Sequence, residues 1–182
     1  EKTNVPADNI KIQNSAPAFM LGEVLLGATE GYQNVLAFNL ISGFGTARYC
    51  NGEVINPDLW RSSFKDGIAV DYLGRRWFSK RYEEFTGHKI ANIKELSSLA
   101  DTDDGLGQLV FNEYSENFVT FLMQWIRYYN TDLVLIGGYN DVWDWYIPHV
   151  KDRLNDNRIR VPIKQAVHGD LATMIGAANQ WK

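Results

Sequence analysis

The sequence predicts an α/β protein, a mixed sheet with flanking helices, and three observations carry that expectation. The run Leu133-Val-Leu-Ile136 is wholly apolar and ends in Gly137-Gly138, which reads as a strand buried on both faces entering a tight turn. Asn51-Gly52, a strong short hairpin signal, joins a strand at 47–50 to one beginning at 53–55 and implies antiparallel pairing. The strand–helix–strand order after residue 132 implies a parallel pair joined by a right-handed crossover.

Taken in order, residues 1–8 are polar and read as an entry segment. Residues 9–13 alternate apolar and polar and suit a short strand. Ser15, followed by Pro17, is a helix cap, and Gly27 is the stop of that helix. The strand at 35–41 enters Ser42-Gly-Phe-Gly45 and returns at 47–50. Residues 56–67 have no clean period and read as loop. From 68 to 85 the positions Val70, Leu73, Trp77, Phe78, Tyr82 and Phe85 recur at threes and fours, predicting one amphipathic helix ended by Gly87. Its polar face carries Arg75, Arg76, Lys80, Arg81, Glu83 and Glu84, a mixed pattern that suits a solvated surface better than a nucleic-acid face.

Asn92 caps a short helix through Leu99, with Glu95 completing a capping-box pattern. The longest helix starts at Asp103 or Asp104 and runs to Tyr129, its aromatic stripe facing the core. Further elements are a strand at 132–136, a helix at 142–154, a strand at 160–164 and a last helix over 171–178. That last helix carries small residues where a neighbour can pack closely.

With 45% hydrophobic residues over 182, the chain can bury a sizeable core as one unit. A net charge of -4 gives no drive toward nucleic acid or anionic membrane. No apolar run reaches the length of a spanning helix, and no basic-then-apolar leader opens the chain. Cys50 is the single cysteine, so an internal disulfide and a multi-cysteine zinc site are both excluded, and a reducing compartment is suited. His88, His149 and His168 have no metal-ligand company in sequence and read as structural or surface residues. Because the chain begins at Glu1 rather than Met, it reads as a processed product or a piece of something longer.

Two glycine-bearing turns, Ser42-Gly-Phe-Gly45 and Gly137-Gly138, stand at strand ends, where backbone N–H groups can approach phosphate oxygens without side-chain interference. The order of these features resembles the C-terminal lobe of the actin-like sugar kinases, in particular the ROK family (repressor, open reading frame, kinase). Ile12-Gln-Asn-Ser-Ala-Pro-Ala-Phe-Met-Leu-Gly-Glu23 is similar to the family's Glu-Asn-Asp-Ala-Asn-Ala-Ala-Ala-Leu-Gly-Glu segment. Leu40-Ile-Ser-Gly-Phe-Gly-Thr-Ala-Arg48 with Asn51-Gly52 resembles its second phosphate loop and hairpin. Leu133-Val-Leu-Ile-Gly-Gly138 resembles its adenosine motif, and His168-Gly-Asp-Leu-Ala-Thr-Met-Ile-Gly-Ala-Ala178 its closing helix.

The resemblance implies an actin-like ATPase lobe spanning 1–182 in a cytoplasmic, two-lobed protein. The lobe carrying the Asp-x-Gly-Gly-Thr phosphate loop has no counterpart in this sequence. ATP with magnesium and a hexose or N-acetylhexosamine are the implied ligands; separately, the aromatic-rich helices suit a homodimer. Carried over by position, Asn14 contacts the sugar, Ser42, Gly43 and Gly45 approach phosphates, and Gly137 and Gly138 border the adenosine. The family's catalytic Asp is Ser15 here, and an unactivated hydroxyl is no general base near neutral pH. The family's zinc segment and its Glu-x-Gly-His sugar contacts also have no counterpart, so no zinc is expected. A non-catalytic sugar- or nucleotide-binding relative, or a structural dimerising module, therefore stands as the alternative to a kinase.

Overall fold

The computed structural model describes residues 5–41, 43–101 and 105–181. Its main sheet has five strands in the order β3-β2-β1-β6-β7, where β1 is Asn34–Asn39, β2 Gly45–Cys50, β3 Glu53–Ile55, β6 Leu133–Gly137 and β7 Ile163–Gln165. Central β1 pairs antiparallel with β2 (Ala37 opposite Ala47) and parallel with β6 (Ala37 opposite Leu135), and β6 runs parallel to β7. The predicted mixed sheet is therefore the observed one.

Side chains of successive strand residues point to opposite faces, and β1 and β6 divide their apolar residues accordingly. Leu36, Phe38, Val134 and Ile136 enter the larger core, under the helices α2 (Ala69–Leu73), α3 (Arg75–Thr86), α4 (Ile93–Ala100), α5 (Leu106–Tyr129) and α6 (Trp143–Asp156). Val35, Ala37, Leu133 and Leu135 enter the smaller one, with Phe19 and Met20 of α1 (Ser15–Leu25) and Ala172 of α7 (Gly169–Ala178). This two-sided cover explains why both strands read as unbroken apolar runs.

Several expectations are corrected. Residues 10–13 form no strand: Ile12 is 93% exposed, so its alternation with polar neighbours has no face to bury. The single helix over 68–85 is two, α2 and α3, because Gly74 is extended (ψ 158) between them. The loop at 56–67 contains a 3-10 turn, Leu59–Arg61, and the start of a two-stranded hairpin, β4 (Ser63–Phe64) with β5 (Gly67–Ile68). The strand at 160–164 is shorter and later, at β7. Asp103 and Asp104 lie outside the described residues; the long helix is described from Leu106.

The helix ends follow their chemistry. Asn92 Oδ1 accepts from the Glu95 N–H at 3.0 Å, and Glu95 Oε2 accepts from the Ala91 N–H at 2.7 Å. Gly87 ends α3 in the left-handed region (φ 73). The α5 stripe is core as expected, with Tyr114, Phe118, Phe121 and Leu122 fully buried.

Candidate functional site

Four separated stretches meet at one edge of the sheet, where β1 and β6 end and β2 begins. The first is the start of α1. Asn14, rather than Ser15, is its cap: Asn14 Oδ1 accepts from the Ala16 N–H at 2.9 Å. Ser15 becomes the first helical residue, exposed, with no acid in that first turn. Both residue types cap well, so sequence alone did not separate them.

The second stretch is the turn between β1 and β2. A Cβ on Gly45 would stand 3.0 Å from the Ala16 Cβ and 3.1 Å from the Asn39 carbonyl oxygen, so α1 abuts this turn directly. Asn39 Oδ1 accepts from the Ile41 N–H at 3.2 Å and pins the turn's entry. Gly43, by contrast, has no atom of the described residues, its chain neighbours aside, within 4 Å of a Cβ placed on it. Ser42 lies outside the described residues.

The third is the paired-glycine turn after β6. The Leu40 N–H donates to the Gly137 carbonyl at 2.7 Å, tying the two turns together. A Cβ on Gly137 would meet the Phe19 ring at 2.7 Å. On Gly138 (φ 91) it would meet backbone atoms of Leu40 and Ile41 at 2.7 Å. Glycine is required at both positions by close approach, and at Gly138 also by its left-handed φ.

The fourth is the polar face of α3. It forms a wall of an open cleft of about 810 Å³ whose lining also includes Gly43, the Asp66-Gly67 corner and Asp71. Of the predicted site residues that are described, Gly43 is the one that lines it. Arg75, Arg76 and Lys80, read from sequence as part of a solvated surface, line it as well. Their spacing gave no sign of this, because the cleft they line is completed by Gly43 and Glu113, which are distant in sequence.

The charges around this cleft are unevenly partnered. Asp71 Oδ2 accepts from the Ile68 N–H at 3.1 Å, and Asp66 accepts from the Tyr72 hydroxyl. Arg81 bonds both Glu113 and Glu84 at 2.8 Å, and Lys80 stands 3.8 Å from Glu84. Burial pushes up the hydroxyl of Tyr139, just past Gly138, and the charge of Arg75 offsets this in part.

The histidines stay out of this site. His149 Nε2 lies 2.8 Å from Glu116 Oε1, which also accepts from Arg153 at 2.9 Å. Burial pushes the Glu116 carboxyl up, but these two partners together outweigh it and hold the group below its ordinary value. The His168 N–H donates to buried Glu23 Oε1 at 3.3 Å, fastening α7 to α1. Among the described residues no three His, Cys, Asp or Glu side chains come together as metal ligands, and no helix is long and apolar enough to cross a membrane.

The architecture is that of the ROK-family sugar kinases. The structure superposes on a ROK hexokinase from Thermus thermophilus with a TM-score of 0.77, at 18% identity, over 92% of this chain and 63% of that one. A ROK-family glucokinase from Streptomyces griseus, solved in complex with glucose and AMPPNP, gives a TM-score of 0.73 at 17% identity, over 93% of this chain and 67% of that one. A ROK-family transcriptional regulator, described as a homologue of the E. coli MLC protein, shares the fold at a TM-score of 0.73 and 17% identity, over 91% of this chain and 50% of that one. In sequence, a beta-glucoside kinase of Listeria monocytogenes is 22% identical over 185 residues, covering 92% of this chain and 63% of the relative. The chain thus spans less than two thirds of the length of that relative. No protein-family model matches the chain.

Proposed function

We propose that this chain is the C-terminal lobe of an ATP-dependent sugar kinase-like protein, acting on a hexose or N-acetylhexosamine. In this reading it supplies the adenosine side and the second phosphate side of the cleft. The observation that carries the reading is the convergence of the α1 start, the Gly43–Gly45 turn and the Gly137-Gly138 turn on one sheet edge, beside a cleft with a basic wall. Ligands of open α/β sheets bind outside the C-terminal ends of the strands, where neighbouring connections diverge, and β1 and β6 end here.

The residues present fit a nucleotide. Gly43 leaves open space for a phosphate to approach backbone, while Gly45, Gly137 and Gly138 hold the two turns against each other and against α1. Asn14, whose Oδ1 is engaged in capping, keeps its Nδ2 donors for a sugar hydroxyl. Magnesium usually arrives bound to nucleotide phosphates with one or two carboxylates rather than in an all-protein cage, so the reading requires no preformed metal cluster. When bound, the nucleotide supplies the phosphoryl group. This lobe's part is to orient the donor phosphates and the accepting hydroxyl.

The test is ATP turnover by the full-length protein against a panel of hexoses and N-acetylhexosamines; absence of turnover with every sugar would sink the kinase reading. Ser15 favours a second reading, a non-catalytic relative that binds sugar or nucleotide without transferring phosphate. Its hydroxyl is exposed, no acid stands in its own helical turn, and the same fold serves a transcriptional regulator. Turnover by the protein with Ser15 unchanged would exclude that second reading.

A further inference from the structure

We infer that Arg75 and Arg76 contact the phosphates of a nucleotide held in the α3 cleft. This assigns a specificity-determining pair to a helix that the resemblance left without a role, and it rests on the nucleotide reading above.

The inference comes from the cleft's charges. Its lining holds four acids and four cations. Every acid is engaged: Asp66 by the Tyr72 hydroxyl, Asp71 by a backbone N–H, Glu84 and Glu113 by Arg81. Lys80 and Arg81 are paired with those glutamates. Arg75 and Arg76 are exposed and have no ion pair or side-chain hydrogen bond among the described residues, so the cleft presents two guanidiniums without partners, while Asp66 and Asp71, held by neutral donors, keep their charge in the same lining. Gly43 lines the same cleft, which puts the pair in one cavity with the β1–β2 turn.

The placement is also unfavourable for the helix itself. Both arginines sit in the first turn of α3, where aligned peptide dipoles disfavour positive charge, and no acid accompanies them there. Residues that break a local rule without a local compensation mark functional positions. Planar guanidinium forks match phosphate oxygens in pairs. A nucleotide is favoured over a neutral sugar because two unpartnered guanidinium forks match the paired oxygens of a polyphosphate better than sugar hydroxyls.

The test is titration of the full-length protein with MgADP, adenosine, inorganic pyrophosphate and glucose 6-phosphate, read by calorimetry. The proteins compared are the wild type, Arg75→Gln/Arg76→Gln, Arg75→Lys/Arg76→Lys and, as control, Lys94→Gln on α4. The wild type should bind MgADP at least tenfold tighter than adenosine. The double Gln variant should lose about ten- to a hundredfold for MgADP, a loss sized by charged hydrogen bonds, and keep its adenosine affinity. The double Lys variant should recover part of that loss, and Lys94→Gln should match the wild type. The double Gln variant should also melt no lower than the wild type, because it removes cations from the positive end of a helix; a lower melting temperature would count against the assignment. Wild-type MgADP binding that the double Gln variant retains overturns this inference and leaves the nucleotide reading standing. A wild type that binds neither MgADP nor pyrophosphate overturns both. Tight glucose 6-phosphate binding lost in the double Gln variant, with MgADP unaffected, reassigns the pair to a phosphorylated sugar and overturns the nucleotide assignment.

Discussion

Gly176 of α7 lies so close to Ala18 of α1 that a Cβ on it would stand 1.8 Å from the Ala18 carbonyl oxygen. One turn further along α1, Gly22 meets α7 in the same way, its Cβ falling 1.8 Å from the Ala172 carbonyl oxygen. The two helices therefore touch backbone to backbone, and α1 delivers Asn14 to the site on that contact. Gly176→Ala, which must push the helices apart, is expected to destabilise the chain by about 3 kcal/mol, a fall in melting temperature of roughly 6–12 °C. A thermal shift below about 2 °C would mean that the helices are not held this closely in solution.

Glu23 fastens the same helix pair from its other side, and its titration gives a signed prediction. It is fully buried, Oε2 has no hydrogen-bond partner among the described residues, and burial pushes its carboxyl above the ordinary value of 4.5. The N–H groups of His168 and Gly169 and the charge of His168 offset this only in part. A carboxyl raised in the folded state favours the protonated form. Its contribution is complete below the unfolded value and is lost as pH rises through the folded one. Glu23→Gln keeps an acceptor for the His168 N–H without the buried charge. Its urea midpoint should exceed the wild type's at pH 7, with the gap closing toward pH 4. Parallel pH profiles for the two proteins would contradict this.

The paired glycines after β6 are tested one residue at a time. Gly138→Ala combines a positive φ with a Cβ 2.7 Å from backbone of Leu40 and Ile41, neither of which can rotate away. A loss of about 2 kcal/mol or more is expected. It should be accompanied by faster amide exchange at Leu40, whose N–H donates to Gly137, because the β1–β2 turn must move. Unchanged exchange at Leu40 would show that the two turns are not coupled.

What the sequence made legible here has a physical pattern. The β1 and β6 strands were readable because burial on both faces leaves no polar position to blur the run, and Asn51-Gly52 because its turn admits few residues (φ 49 and 95). The α2–α3 break was not, because one extended residue at Gly74 shifts the apolar period too little for a window to register it. Ile12 imitates a strand residue, but only a neighbouring strand could have made it one. For the site, the glycines and Asn14 were visible as local signals. The basic wall was not, because Arg75 and Arg76 acquire meaning only from Gly43, which the fold brings to the same cleft.

Asn14 has two roles that substitution can separate. Asn14→Ala removes the Ala16 cap and should cost about 1 kcal/mol. Asn14→Ser keeps a capping oxygen and should leave the melting temperature nearly unchanged, while removing the amide donors assigned to the sugar. A Ser variant that is stable and binds sugar as well as the wild type would confine Asn14 to capping.

Ser15→Asp is the substitution on which the two functional readings divide. The residue is exposed in the first turn of α1, where no acid now stands. A carboxylate there complements the helix dipole by about 0.3–1 kcal/mol, so the variant should fold at least as well as the wild type. Near pH 7 an aspartate of ordinary pKa is ionised and can take a proton from an attacking hydroxyl, as serine cannot. If the wild type binds nucleotide and sugar without turnover, the variant should gain ATP-dependent sugar phosphorylation, and general-base help of this kind contributes on the order of 10²–10⁴ in rate. Its rate should fall away in acid, with a limb near pH 4 that the wild type lacks. A well-folded variant that binds both ligands and still transfers no phosphate would remove the missing carboxylate as the reason for inactivity. A wild type that turns over faster than the variant would mean that Ser15 is not the base position at all.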